Sequence, residues 1–242
     1  MPAIGASNAV DSMFNGKLSG VREQTIYTPK ELTDQIRKFF GGIAYDPCWA
    51  PDATTDPEEK TYINWDVLFE ETERFCLHAY GIDRAKAALD LFFCRVRAKD
   101  AGKEAVKDRK AIAEWFLGKY LHLSGHIQEW PDRTFVNPPF GDRGPHASLA
   151  SFQDFTDAFE STPNSVIMLC PVRSHRQWWR RNVMFAADAV CYLDPLKFEG
   201  FPQSFPAPLC LAYKGCDPDG FRDAFRSFGD TAIRGEVNPP RL

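Results

Sequence analysis

The stretch Thr134-Phe-Val-Asn-Pro-Pro-Phe140 sets an asparagine, two prolines and an aromatic directly behind an apolar run of β type. Each proline fixes φ and removes a backbone N–H, so Pro138 and Pro139 end the strand but keep their carbonyls as acceptors. Such a corner suits a planar ring that carries an exocyclic amino group. The Asn137 side-chain oxygen and the Pro138 carbonyl can accept the two amino hydrogens, and Phe140 can stack on the ring. Accepting both hydrogens favours localisation of the nitrogen lone pair and makes the nitrogen nucleophilic. A second copy of the tripeptide, Asn238-Pro239-Pro240, serves as an internal control. It has Arg241 where the aromatic stands and only Gly235-Glu236-Val237 before it, so it reads as tail.

The elements that must hold this corner follow from periodicity. Thr28-Pro29 opens a helix with Glu31 at capping-box spacing; Leu32, Ile36, Phe39 and Phe40 share a face, and Gly41-Gly42 stops it. Ile43-Ala44-Tyr45 reads as a short buried strand delivering Asp46-Pro47 to its carboxyl end, followed by a proline- and acid-rich loop. From 66 to about 121 the chain reads as helical and is too long and too charged for one crossover helix. Beyond it, Phe135-Val136, Ser165–Cys170, Ala189–Leu193 and Pro208–Tyr213 read as strands. Phe152, Phe155 and Phe159, with Leu149, suit a helix, and Trp178 to Phe185 suits another. Alternation of this kind implies a mostly parallel sheet covered by helices on both faces, with ligands bound beyond the carboxyl ends of strands. Residues 1 to 24 read as a loose arm, and 25 to 242 as one domain with a helical insertion at about 66 to 125.

Composition narrows the classes. With 44% apolar and 26% charged residues the chain is an ordinary globular one, and no apolar run is long enough to span a membrane. Seven scattered cysteines without a C-x-x-C pair read as buried thiols in a reducing compartment. The net charge of -4 argues against coating nucleic acid by bulk electrostatics. Locally the balance differs, since 84 to 119 holds ten basic against five acidic side chains. His122 and His126, at helical i and i+4 spacing, lack a third ligand in register, and no metal is implied.

Asn-Pro-Pro-aromatic after a strand is the catalytic motif of amino-methyltransferases that use S-adenosylmethionine. The chain resembles the phage-type DNA N6-adenine methyltransferase (Dam) family in Tyr27-Thr28-Pro29, Tyr45-Asp46-Pro47, Glu129-Trp130, Phe135 to Phe140, Val166 to Pro171 with Arg173 and Trp178-Trp179, and Leu196-Lys197-Phe198. The resemblance implies a Rossmann-like class I methyltransferase fold and transfer of a methyl group to a flipped-out adenine. It places Tyr27, Thr28, Pro29, Asp46 and Pro47 at the cofactor, Asn137, Pro138, Pro139 and Phe140 at catalysis, and Phe198 as a second aromatic of the base pocket. It also implies the cytoplasm of a bacterium or a phage-infected host cell.

Arg173, Arg176 and Trp178, within a basic and aromatic cluster, suit a clamp on DNA, and the basic excess of the insertion suits phosphate contacts. Most methyltransferases carry a glycine-rich turn after the first strand; here Asp46-Pro-Cys-Trp-Ala-Pro51 stands in its place, where the phage-type family is itself degenerate, and Asp66 and Asp83 are candidates for the acid that binds the cofactor ribose. Methylation of RNA adenine or protein glutamine is the nearest alternative. A nucleic-acid-binding module that has lost its cofactor is the alternative of another class.

Overall fold

The computed structural model describes residues 28–51, 53–60, 64–93, 98–138, 140, 151–198 and 203–235. Tyr27, Pro139, the arm at 1 to 24 and the tail copy at 238 to 240 lie outside them. The chain divides into two compact units. The first is drawn from Met1–Lys60, Trp130–Pro138 and Phe159–Leu242, and the second from Thr61–Glu129 and Pro139–Ala158. The helical block expected at 66 to 125 falls within the second unit.

The described residues hold seven α-helices and a five-stranded sheet. The first unit contains β1 (Thr134–Val136), β2 (Val166–Pro171), β3 (Ala189–Leu193), β4 (Leu209–Lys214) and β5 (Gly229–Ile233), in the order β1-β2-β4-β3-β5. Strand β2 and all but the last residue of β4 are buried throughout, which is why both read as continuous apolar runs. Ile43-Ala44-Tyr45, expected as a strand, forms none: Tyr45 makes only isolated parallel bridges, one of them to Thr134, with Ala44 N–H donating to the Arg133 carbonyl and Phe135 N–H to the Tyr45 carbonyl.

The sheet is mixed, where the sequence implied a mostly parallel one. Only β1 and β2 pair in parallel; β4 runs antiparallel to both β2 and β3, and β5 antiparallel to β3. The physical reason lies in the connections. A parallel return needs a crossover long enough for a helix. Between β3 and β4 the described residues contain no helix, so the chain turns back on itself; the other connections carry helices and join strands of like direction.

Helix α1 (Lys30–Phe40) buries Leu32 and Ile36 completely, as its periodicity requires, and ends at Gly41 in the left-handed conformation, φ 72°. Its Phe39 ring meets Tyr213 of β4, and also Phe221 and Phe225, edge-on at 5.3, 5.8 and 5.9 Å. The last two belong to the terminal helix (Pro218–Phe225), which starts with Asp217 accepting from the Gly220 N–H. This aromatic cluster orients α1 on the sheet and hence the residues just before its first turn.

In the second unit, α2 (Trp65–Tyr80), α3 (Ile82–Phe92) and α4 (Lys103–Tyr120) pack around Leu68, Cys76, Ala88, Leu89, Phe92, Ile112 and Phe116. Phe75 stacks on Trp115 at 4.1 Å, nearly coplanar. Two of the basic residues counted above are used internally. Arg84 grips the buried Asp108 with two hydrogen bonds of 2.5 and 2.7 Å, and Lys119 pairs with Glu71 at 2.6 Å. Helix α5 (Phe152–Ser161) precedes β2 and buries Phe152, Phe155 and Phe159, as expected. The helix expected over 178 to 185 is one α-turn, Gln177–Trp179, continued by a π-helical turn, Arg180–Met184.

Candidate functional site

The site is built where two parallel segments end side by side. Tyr45 is bridged to Thr134, so Asp46 and Asn137 both follow the carboxyl ends of neighbouring stretches. A third element joins them: the residues that lead into α1.

Thr28 does not cap that helix. The N-cap position is Pro29, which makes no side-chain capping bond, and the Pro29 carbonyl accepts from the N–H groups of Leu32 and Thr33. The capping box expected from Thr28 and Glu31 is therefore not formed. The Thr28 hydroxyl instead accepts a hydrogen bond of 3.0 Å from the Asn137 side-chain amide nitrogen. Thr28 is 3% exposed, and its carbonyl accepts from the Thr54 hydroxyl at 2.6 Å. With the amide nitrogen turned to Thr28, Oδ1 is the acceptor end of Asn137. The motif chemistry asks for that orientation.

Asp46 is 3% exposed. One carboxylate oxygen accepts from the Cys48 N–H and the other from the Thr55 hydroxyl, both at 2.8 Å, and Trp49 N–H closes a turn onto the Asp46 carbonyl. The aspartate thus shapes the tight turn itself. Burial pushes its carboxyl up to about 6, against the opposing pull of the Thr55 and Cys48 bonds. Among the described residues no cation is paired with it.

Sequence reasoning treated 48 to 60 only as loop, yet Thr54 and Thr55 tie Thr28 to Asp46. Arg37 of α1 anchors the same loop, donating to the Thr54 carbonyl at 2.8 Å. Two adjacent threonines in a proline-rich loop carry no periodic signal, and their partners are set by packing alone.

The remaining candidates are distributed differently. Pro138 is buried beside Asn137 in the first unit, and Pro47 is half-buried. Phe140 belongs to the second unit and meets Phe152 edge-on at 5.9 Å. Phe198 is 2% exposed and packs against Phe205 at 5.5 Å. Arg173 and Trp178 are half-buried and Arg176 exposed, while Trp179 is a fully buried core ring. Adjacent helical residues face different ways, which separates the two tryptophans. Asp83 is exposed in the first turn of α3, and Asp66 is the second residue of α2, both in the second unit.

His122 and His126 do not share a helix: a 3-10 turn ends at Leu123, and His126 Nδ1 bonds the Ser124 hydroxyl at 2.7 Å. Among the described residues no three metal-ligating side chains come together, and no helix is long and apolar enough to cross a membrane. The described cysteines are free thiols, and Cys216 is exposed where burial was expected.

A buried carboxylate with no cation paired to it among the described residues is, when ionised, complementary to a cationic ligand. Each of its oxygens has a further lone pair beyond the bonds just described. The donor set therefore fits the sulfonium and ammonium end of S-adenosylmethionine. The class these features define is an α/β protein with a mixed sheet and a strand-end polar site. No protein-family model matches the chain, and no curated protein or solved structure is significantly similar to it.

Proposed function

We propose that this chain is an S-adenosylmethionine-dependent amino-methyltransferase of Rossmann-like fold that acts on the N6 amino group of adenine in DNA. The observation that carries the reading is the hydrogen bond from Asn137 Nδ2 to Thr28 Oγ1. It joins the two segments that resemble catalytic and cofactor motifs of the phage-type family.

S-adenosylmethionine would supply a methyl group already activated by its sulfonium; the bond to sulfur breaks as the bond to nitrogen forms, the cofactor leaves as a neutral thioether, and the surplus amino proton passes by way of the acceptors at Asn137 and Pro138 to water. Asn137 Oδ1 and the Pro138 carbonyl accept the amino hydrogens and hold the nitrogen in line, and Asp46 offsets the positive charge of the cofactor's methionine end. Alignment and preplaced acceptors account for the acceleration, since neither a covalent enzyme intermediate nor a metal is required. An adenine within a duplex must be flipped out to reach this corner. Arg173, Arg176 and Trp178, with Phe198, are the proposed contacts to the extruded nucleotide and its backbone.

The test is incubation of the purified protein with methyl-labelled S-adenosylmethionine and, separately, DNA, RNA and protein. Label on DNA alone, recovered as N6-methyladenine, is expected. Label on RNA or protein alone moves the activity to another acceptor, and no label with no calorimetric cofactor binding leaves the binding module.

A further inference from the structure

We infer that Thr28 is a positioning residue for the catalytic amide: its hydroxyl turns Asn137 so that Oδ1 faces the amino group, and it does not bind the cofactor. This role rests on the methyltransferase reading above.

Three observations carry the inference. The first is the 3.0 Å bond itself, with Asn137 as donor. A primary amide has an acceptor end and a donor end of nearly equal size, and in this structure the Thr28 hydroxyl accepts from the nitrogen, which leaves Oδ1 as the end turned away from Thr28. The second is burial. At 3% exposure Thr28 has its side chain committed to Asn137 and its carbonyl to Thr54, inside the first unit. The third is the vacated helix cap. Thr28 stands one residue ahead of Pro29, and it leaves the first-turn N–H groups to the Pro29 carbonyl. A threonine free of its capping role is held by Thr54 below and reaches across to the strand end. If the amide were reversed, its NH2 group would point at the amino hydrogens of the substrate. Donor would then oppose donor, and the nitrogen lone pair would gain nothing.

The experiment compares Thr28→Val, which keeps the shape and loses the acceptor, with Thr28→Ser, which keeps the hydroxyl. Turnover on adenine-containing DNA is measured at saturating S-adenosylmethionine, and cofactor affinity by calorimetry. Thr28→Val should lower kcat about 10- to 100-fold through misplacement of the amide, with the cofactor dissociation constant unmoved. Thr28→Ser should recover most of the loss. The Asn137 side-chain amide pair in the NMR spectrum, assigned by its disappearance in Asn137→Asp, should shift and exchange faster with water in Thr28→Val but not in Thr28→Ser. Should Thr28→Val fail to fold, Thr28→Ala gives the same contrast.

An Asn137 amide pair unmoved in Thr28→Val overturns the positioning role, as does a weakened cofactor with kcat intact. Absence of transfer by the unaltered protein to any acceptor overturns the proposed activity and the role together.

Discussion

Thr28 and Asn137 stand 109 residues apart and meet through one hydrogen bond, from the Asn137 amide nitrogen to the Thr28 hydroxyl at 3.0 Å. The bond couples the entrance of α1 to the end of β1, and a loop through Thr54 and Thr55 carries the connection on to Asp46. A strand end, a helix entrance and a buried carboxylate therefore form one polar assembly in the first unit.

Asn137→Ala removes the acceptor at which the amino group would be held. Methyl transfer to DNA should fall by at least about 100-fold, by analogy with loss of one preplaced polar group at a reacting centre, while calorimetric cofactor affinity stays within error. Retained turnover would remove Asn137 from its role.

Asp46 makes stability depend on pH with a definite sign. Its folded-state value, about 6, lies above the ordinary 3.8, so the folded protein holds the proton more tightly than the unfolded chain. Its stabilising contribution is complete below about 3.8 and is lost as pH rises through about 6, on the order of 3 kcal/mol in all. Melting temperature should fall across that window, and Asp46→Asn should flatten the slope. A cationic cofactor prefers the ionised carboxylate, so its affinity should rise over the same window in the unaltered protein and stay level in Asp46→Asn.

Phe221 is fully buried, stacked on Tyr213 at 4.9 Å and edge-on to Phe39. Phe221→Ala should cost about 3 to 5 kcal/mol by loss of burial plus a residual cavity. Because Phe39 orients α1, the loss should be accompanied by weakened cofactor binding near the melting point. Denaturant unfolding with a parallel titration checks both.

The basic residues of the second unit divide into two groups. Arg84 and Lys119 are held by Asp108 and Glu71, whereas Lys103 and Lys107 are exposed on one face of α4. The double variant Lys103→Glu, Lys107→Glu should weaken DNA binding and reduce its dependence on log salt by about 2, one for each phosphate that a lysine no longer neutralises. Arg84→Ala should lower the melting temperature, by leaving the buried Asp108 carboxylate without its partner, and keep the salt slope unchanged. Equal slopes in all three proteins would remove α4 from the interface.

Residues 134 to 140 show how much was legible in advance. An apolar run followed by two prolines can only be a strand that stops, because proline removes ladder donors, and β1 ends where the motif begins. Strands β2, β3 and β4 were legible within a residue: burial on both faces leaves an unbroken apolar run in β2 and β4, and β3 keeps an apolar run although Tyr192 is exposed. The terminal helix and β5 were missed for the opposite reason. The helix is short and contains Gly220, and β5, GDTAI, is a mostly half-buried sheet edge with few large apolar residues, held by pairing with β3. Mixed strand direction was missed as well, since apolar patterning reports burial and says nothing of which way a strand runs.

By itself the sequence determined the chemistry on offer: an asparagine and a proline carbonyl at a strand end, an aspartate at another, and a threonine before a helix. Local rules suffice for these, because proline geometry and side-chain periodicity act over a few residues. Tertiary structure alone decided that Thr28 abandons its cap for Asn137 and that Asp46 is buried with no cation paired to it among the described residues. It also decided that an apolar-poor loop supplies the threonines between them. Such pairings depend on which surfaces the aromatic cluster and the sheet bring together across a hundred residues, and no local pattern encodes that distance.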